Sequence, residues 1–301
     1  MSDERATVRP VTLSRLVELT HACNGEPKTT ANLEDTLDVS HRRARETVLE
    51  ATRITLLEED ERTEDEDAVY KTTDVGKSFL EAIRSEDWEQ AGSILATRSP
   101  HYGTFIETLE ETEQADLDTL LEHLEEAQEF TPYSFNQTGI EVVGDWAERL
   151  GSVQRHAFTG NYYVTTRSDI PQNFHYILLN VFDDLEQTAG VDLHERYLSI
   201  PQLREDVCER LGCRRGSFDE ALLALCQQNV GKLELSGAPM DTTAKDAALG
   251  IKQIELADDD GLVTTSQSTQ QVMSGVELYD KKYYYLAVHD REITFDKEDL
   301  A

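Results

Sequence analysis

The chain has 301 residues, of which 39% are hydrophobic, enough for two or three domains with real cores and too apolar for wholesale disorder. Sixty Asp and Glu stand against 28 Lys and Arg, a formal charge of −32. The opening MSDERATVRP has no basic-then-apolar leader pattern, and the longest apolar-leaning stretch, Phe174 to Val181, falls far short of a membrane span, so a soluble cytoplasmic protein is expected.

Only 9 of the 28 cations are Lys and 19 are Arg. Acidic excess with Arg as the retained cation matches the salt-in halophiles of the haloarchaea, where a dense carboxylate surface holds water and salt screens its self-repulsion. Net charge then no longer argues against a nucleic-acid partner, and the positions of the cations carry the information. Four cysteines (Cys23, Cys208, Cys213 and Cys226) form neither a disulfide framework nor a zinc pattern, and Cys208 and Cys226 read as small core residues. No metal or cofactor is expected.

In chain order, Thr12 caps a helix to about Ala22, with Leu13, Leu16 and Val17 on one face. Asn24-Gly25-Glu26-Pro27 breaks it, and a short helix follows from Thr30 with Leu33 and Leu37 inward. Asp38-Val39-Ser40 is a tight turn, and Ser40 caps a third helix with Ala44, Val48 and Ala51 on its inner face. Ile54–Leu57 and Ala68–Thr72 are β-prone runs around the charged loop Glu58–Asp67, and are expected to pair antiparallel as a wing. Asp74 then caps a helix from Val75 to about Arg84.

Helix, short helix, tight turn, helix and hairpin resemble a winged helix-turn-helix over about residues 10–84. That resemblance implies a third helix in the DNA major groove and a wing beside the backbone. The third helix opens His41-Arg42-Arg43-Ala44-Arg45, three arginines and a histidine without a carboxylate. Arg to guanine O6/N7 is the commonest specific base contact. The opposing reading is a solvated face, with Glu46 and Glu50 supplying partners one turn on.

The middle differs. Ten acidic residues and no cation lie between Gly103 and Thr131, with Leu117, Leu120, Leu121 and Leu124 making one amphipathic helix. The next helix begins at Ser134, which forms a capping box with Gln137, runs through Ile140, Val143, Trp146, Ala147 and Leu150 and ends at Gly151, and an aromatic hairpin follows through Arg155-His156 and Tyr162-Tyr163. Its reading-helix position holds Glu141, Asp145 and Glu148 with only Arg149, so this unit is expected to be structural. A third unit repeats the pattern: a helix from Pro171 to about Thr188, capping boxes at Ser199/Gln202 and Ser217/Glu220, the basic turn Cys213-Arg214-Arg215-Gly216, and the strands Lys232–Ser236 and Lys281–His289. Between them, Ile251–Leu256 and Leu262–Thr265 flank Asp258–Asp260 as an added hairpin.

The expectation is a mainly α fold with small antiparallel β-hairpins, in tandem winged-helix-like units at 10–98, 99–167 and 168–301. The expected function is non-catalytic double-stranded DNA binding, in transcriptional regulation or as the DNA-binding component of a larger assembly. His41, Arg42, Arg43 and Arg45 are its main contacts and Arg214 and Arg215 its secondary ones; Arg155 and His156 are its wing contacts, against the favoured reading that their aromatic hairpin packs on the helix below. The alternative is an adaptor with a protein partner. A remote third reading is a metal-dependent nuclease on Asp258–Asp260 and Asp280-Lys281-Lys282, although the apolar strand residue of that pattern is replaced by Lys281. Phosphate-loop, dinucleotide and zinc-protease signatures are absent.

Overall fold

Helix α1 (Leu13–Ala22) begins where Thr12 Oγ1 accepts the Arg15 amide at 3.4 Å, and it buries Leu13, Leu16, Val17 and Leu19. A two-residue strand β1 (Lys28–Thr29) leads into α2 (Thr30–Leu37), and Thr29 and Asn32 close a reciprocal capping box. Asp38 takes the left-handed conformation at φ 48°, which short polar side chains tolerate. It turns the chain into α3 (His41–Arg53), whose inner face is Ala44, Val48 and Ala51. These elements come from a computed structural model that describes residues 7–60, 68–127, 133–165, 169–188, 197–237 and 272–300.

The wing strands are β2 (Leu57–Glu59) and β3 (Val69–Thr72), antiparallel with Leu57 opposite Thr72. β2 starts later than the run Ile54–Leu57 suggests. Thr55 at φ 60° ends α3 in a Schellman motif, with the Leu56 amide donating to Ala51 O at 2.9 Å and the Thr55 amide to Thr52 O at 3.0 Å. Residues 54–56 therefore close the helix instead of extending the strand. The strand order is β1-β3-β2, and β1 was not legible beforehand because two residues carry no periodicity. A Cβ on Gly76, in the first turn of α4 (Asp74–Arg84), would lie 2.3 Å from Leu56 O, so only glycine allows this approach.

Four more helices complete this region: α5 (Trp88–Arg98), α6 (Pro100–Thr112), α7 (Leu117–Ala127) and α8 (Gln137–Arg149), with the short strand β4 (Gln114–Ala115) before α7. The cap of α8 is Asn136, whose Oδ1 accepts the Gly139 amide at 2.7 Å, in place of the expected Ser134. Fully buried Trp146 donates from Nε1 to Val11 O at 2.9 Å. In the same helix Arg149 Nε meets Asp145 Oδ2 at 3.0 Å, both nearly buried.

The described chain packs as two compact units, one ending at Val153 and the other beginning at Gln154. Trp146 ties α8 to the N-terminal segment, and the segment after Gln154 is held by α10, as described below.

The strand β5 (Val153–Arg155) is followed by β6 (Tyr162–Val164), α9 (Phe174–Thr188), β7 (Tyr197–Ser199), α10 (Ile200–Leu211), α11 (Arg215–Gln228) and β8 (Leu233–Ser236). The run expected as one strand, Lys281–His289, is two. With β9 (Val276–Leu278), β10 (Lys281–Tyr283) makes a separate hairpin. β11 (Tyr285–Val288) instead lies between β7 and β8, antiparallel to both. Tyr284 makes the break, its amide donating to Ser236 O at 2.9 Å and its carbonyl accepting the Ile200 amide at 2.9 Å. Gly212 at φ 60° stops α10 as expected, but α11 starts at Arg215, two residues before Ser217. Phe174, Leu178, Leu203, Val207, Phe218 and Leu222 fill the core of this unit. The expected hairpin at Ile251–Thr265 lies outside the described residues.

The fold is mainly α with small antiparallel sheets. Among the described residues one element order recurs three times along the chain: α1-β1-α2-α3-β2-β3, α6-β4-α7-α8-β5-β6 and α9-β7-α10-α11-β8-β11, the last interrupted by an insertion. The first and last sheets also share a strand order, β1-β3-β2 and β7-β11-β8, with the final strand central.

Candidate nucleic-acid interface

On α3 the side chains of His41, Arg42, Arg43 and Arg45 are all exposed, while Ala44, Thr47, Val48 and Ala51 are buried. The 3.6-residue period alone makes this division. His41 Nδ1 lies 3.1 Å from Glu34 Oε2, so α2 carries its partner. Arg42 Nε donates to Glu46 Oε1 at 3.3 Å, with the arginine 85% exposed. Such an exposed i,i+4 pair is worth only about 0.3–0.5 kcal/mol, and a phosphate can displace it. Among the described residues neither Arg43 nor Arg45 has a carboxylate within 4.0 Å. Burial, with Glu59 beside it, holds the Tyr70 phenol on the wing above its usual range, and the charge of Arg45 acts against them.

Glu50 does not serve the exposed arginines. It is fully buried and accepts from the Arg9 amide at 3.3 Å, from Arg9 Nη1 at 3.4 Å and from Arg53. Arg53 also donates to Nδ1 of buried His101 at 3.2 Å, which makes that nitrogen the unprotonated one. The inner end of α3 is thus clamped by charge, and its outer face is left to solvent.

The wing has the opposite sign. Glu58–Asp67 contains eight acidic residues and one arginine. Lys71 on β3 is held by Glu58 at 3.3 Å and Asp60 at 3.5 Å.

In the second unit the basic turn is not the surface feature the sequence suggests. Arg214 is exposed and precedes α11, but Arg215 is buried. Its Nε and Nη2 reach both oxygens of fully buried Glu205 at 2.5 and 2.7 Å, and Nη2 also donates to Arg155 O at 2.7 Å. Arg215 is therefore corrected from a DNA contact to a structural cation, with its proton held more firmly than usual by Glu205 despite burial. His156 is corrected as well. It is 1% exposed, and its Nδ1 accepts the Phe158 and Thr159 amides at 3.2 and 3.0 Å. That leaves the proton on Nε2, which donates to Asp206 Oδ1 at 2.9 Å. Arg155 is half-buried, bonded to Gly160 O at 3.1 Å and stacked 5.0 Å over Tyr162.

Three successive residues of α10 hold this assembly. Arg204 binds Asp219 at 2.7 Å and the carbonyls of Val272 and Ser274 at 2.8 and 3.0 Å. Glu205 accepts the Ala157 amide at 2.7 Å besides Arg215, and Asp206 takes His156. The signal was present: Arg204 follows Ile200 by one helical turn, on the same stripe as Leu203, Val207 and Leu211.

Among the described residues no group of three or more His, Cys, Asp or Glu side chains stands where it would hold a metal ion, and no helix is long and apolar enough to cross a membrane. Asp258–Asp260 lie outside the described residues. No protein-family model and no curated protein matches the chain. It is weakly similar to a solved structure of magnesium-ion-bound SspB, with 13% identity and a TM-score of 0.39 over 78% of this chain and 81% of that one.

Proposed function

We propose that this chain is a non-catalytic double-stranded DNA-binding protein that reads duplex through the exposed face of α3. The observation that carries the reading is the pairing, on one helix, of four outward basic side chains with a fully buried Ala44–Val48–Ala51 stripe. The element order of residues 13–72 and the central position of β3 support a winged helix-turn-helix, in which this helix enters the major groove. Arg42, Arg43 and Arg45 are the main contacts, His41 is a flanking one and Arg214, exposed just before α11, is the secondary one. The −32 charge supports a halophilic, cytoplasmic setting in molar salt. There counterion release contributes little, and base and shape readout must supply most of the affinity. Transcriptional regulation or a place in a larger DNA-binding assembly fits a chain that presents one reading helix and no metal cluster among its described residues.

The acidic wing favours one rival, a protein–protein adaptor, because eight carboxylates beside a phosphate backbone repel it. The deciding experiment is titration of labelled duplex against the wild type and the combined Arg42→Ala, Arg43→Ala, Arg45→Ala variant, at the salt that keeps both folded. The DNA reading expects binding by the wild type and its loss in the variant. No binding by folded wild type, or equal binding by both, makes the arginines a solvated face and the adaptor the better account.

A further inference from the structure

The hairpin β9–β10 is an insertion that forms its own two-stranded sheet outside β7-β11-β8. Its register places Lys281 opposite Leu278 and Lys282 opposite Glu277. Between the strands, Tyr279 and Asp280 both have positive φ, 51° and 60°. A two-residue turn of this kind favours Asn or Gly, and an aromatic residue there is uncommon. Tyr279 nevertheless occupies it with 81% of its surface exposed, so no packing compensates its backbone. The base of the hairpin is anchored: Val276 is buried, and a Cβ on Gly275 would stand 1.8 Å from Tyr283 O.

Successive residues of a strand face opposite sides, so Lys281 and Lys282 put one cation on each face of the ribbon. Both are exposed, and among the described residues neither has a carboxylate within 4.0 Å. Glu277 shares the Lys282 face and Asp280 sits in the turn, the charged groups nearest along the hairpin. A flat acidic surface would engage only one face of such a ribbon. A groove with phosphates on both walls engages both, and the major groove of DNA, about 12 Å wide, admits a two-stranded ribbon.

We propose that β9–β10 is a second DNA contact, a ribbon entering a groove of the duplex with Lys281 and Lys282 on the phosphates of its two walls and Tyr279 leading. This rests on the DNA-binding reading of the chain, but it uses residues remote in sequence from α3 and has its own test. Binding of a labelled duplex selected by the wild type from a random-sequence pool is measured across the salts at which every variant stays folded, for the full-length wild type, the two single Lys→Ala variants and the double variant. Each released counterion contributes about 0.9 to the salt slope, so each single variant is expected to lower it by about one and the double variant by about two. The Lys281→Arg, Lys282→Arg variant keeps both charges and is expected to keep the wild-type slope, which separates charge from folding.

If the double Lys→Ala variant matches the wild type while the α3 triple variant has lost binding, the hairpin proposal falls and the α3 reading stands. If folded wild type binds no duplex, both fall. If the double variant keeps DNA binding but loses binding to a polyglutamate peptide, the partner is an acidic protein and the proposal is overturned. A lowered slope in the charge-preserving Arg variant also overturns it.

Discussion

Helices α3 and α11 occupy the same place in the recurring element order, and each opens with arginines at its first turn. Their fates are opposite. On α3 the arginines face solvent, because the one carboxylate at the inner face, Glu50, is taken by Arg9 and Arg53. On α11 Arg215 is drawn inward, because the preceding helix carries fully buried Glu205, both of whose oxygens accept from it. A basic dipeptide at a helix start therefore says little about a partner until the nearest buried carboxylate is found. A buried carboxylate needs a buried cation, and the chain supplies the closest one.

The largest effect expected from this contrast is on stability in the second unit. Glu205→Ala leaves Arg215 buried and uncompensated and should cost about 3–5 kcal/mol, measured by denaturant unfolding. The loss should be largely recovered when Arg215 is replaced by Met in the same chain, since paired removal of a buried ion pair is often close to neutral. A Glu205→Ala protein as stable as the wild type would break the contrast.

Salt should act on the exposed carboxylates of both units and spare the buried pair. Lowering ionic strength from molar to about 0.01 M lengthens the screening distance from about 3 Å to about 30 Å, and the thermal midpoint should fall accordingly. A midpoint that does not move would remove the halophile reading and, with it, the explanation for 60 carboxylates.

Alkali should destabilise both units through buried thiols. Burial pushes Cys23, in the first unit, up to about 11 and Cys226, in the second, up to about 12. In the unfolded chain a thiol titrates near 8.5. Folded protein therefore holds more protons in this window, and stability falls with rising pH. The contribution is complete below about pH 8.5 and is lost as pH rises through about 11–12. Melts at stepped pH check the sign. Native protein should also resist iodoacetamide near neutrality and react after unfolding, because only the thiolate attacks.

The smallest effect belongs to the pair on α3. Glu46→Ala removes the acceptor of Arg42, and should change stability by no more than about 0.5 kcal/mol.

Helices α1 to α4 and α7 to α11 and the return strand at Val69–Thr72 were legible because amphipathic period, caps and β-prone runs are local, whereas α5 and α6 were not read, and the first wing strand lies at Leu57–Glu59, past the run Ile54–Leu57 that the sequence offers. The exposure of Arg42, Arg43 and Arg45 was legible for the same reason. What was not legible depended on tertiary partners. Arg215 reads from sequence as part of an exposed basic turn, and the carboxylates that claim it and His156, Glu205 and Asp206, lie on a different helix. Lys281–His289 read as one strand because its alternation runs unbroken in sequence, whereas Tyr284 turns the chain between two sheets.

The central claim, that α3 presents its arginines to DNA while α11 spends Arg215 on the fold, is tested most directly by two variants measured side by side. The account predicts that Arg42→Ala, Arg43→Ala, Arg45→Ala loses duplex binding with an unchanged melting midpoint, and that Arg215→Ala lowers the midpoint while whatever remains folded still binds. A triple variant that binds duplex as tightly as wild type, or an Arg215→Ala protein with unchanged stability and lost binding, would contradict it.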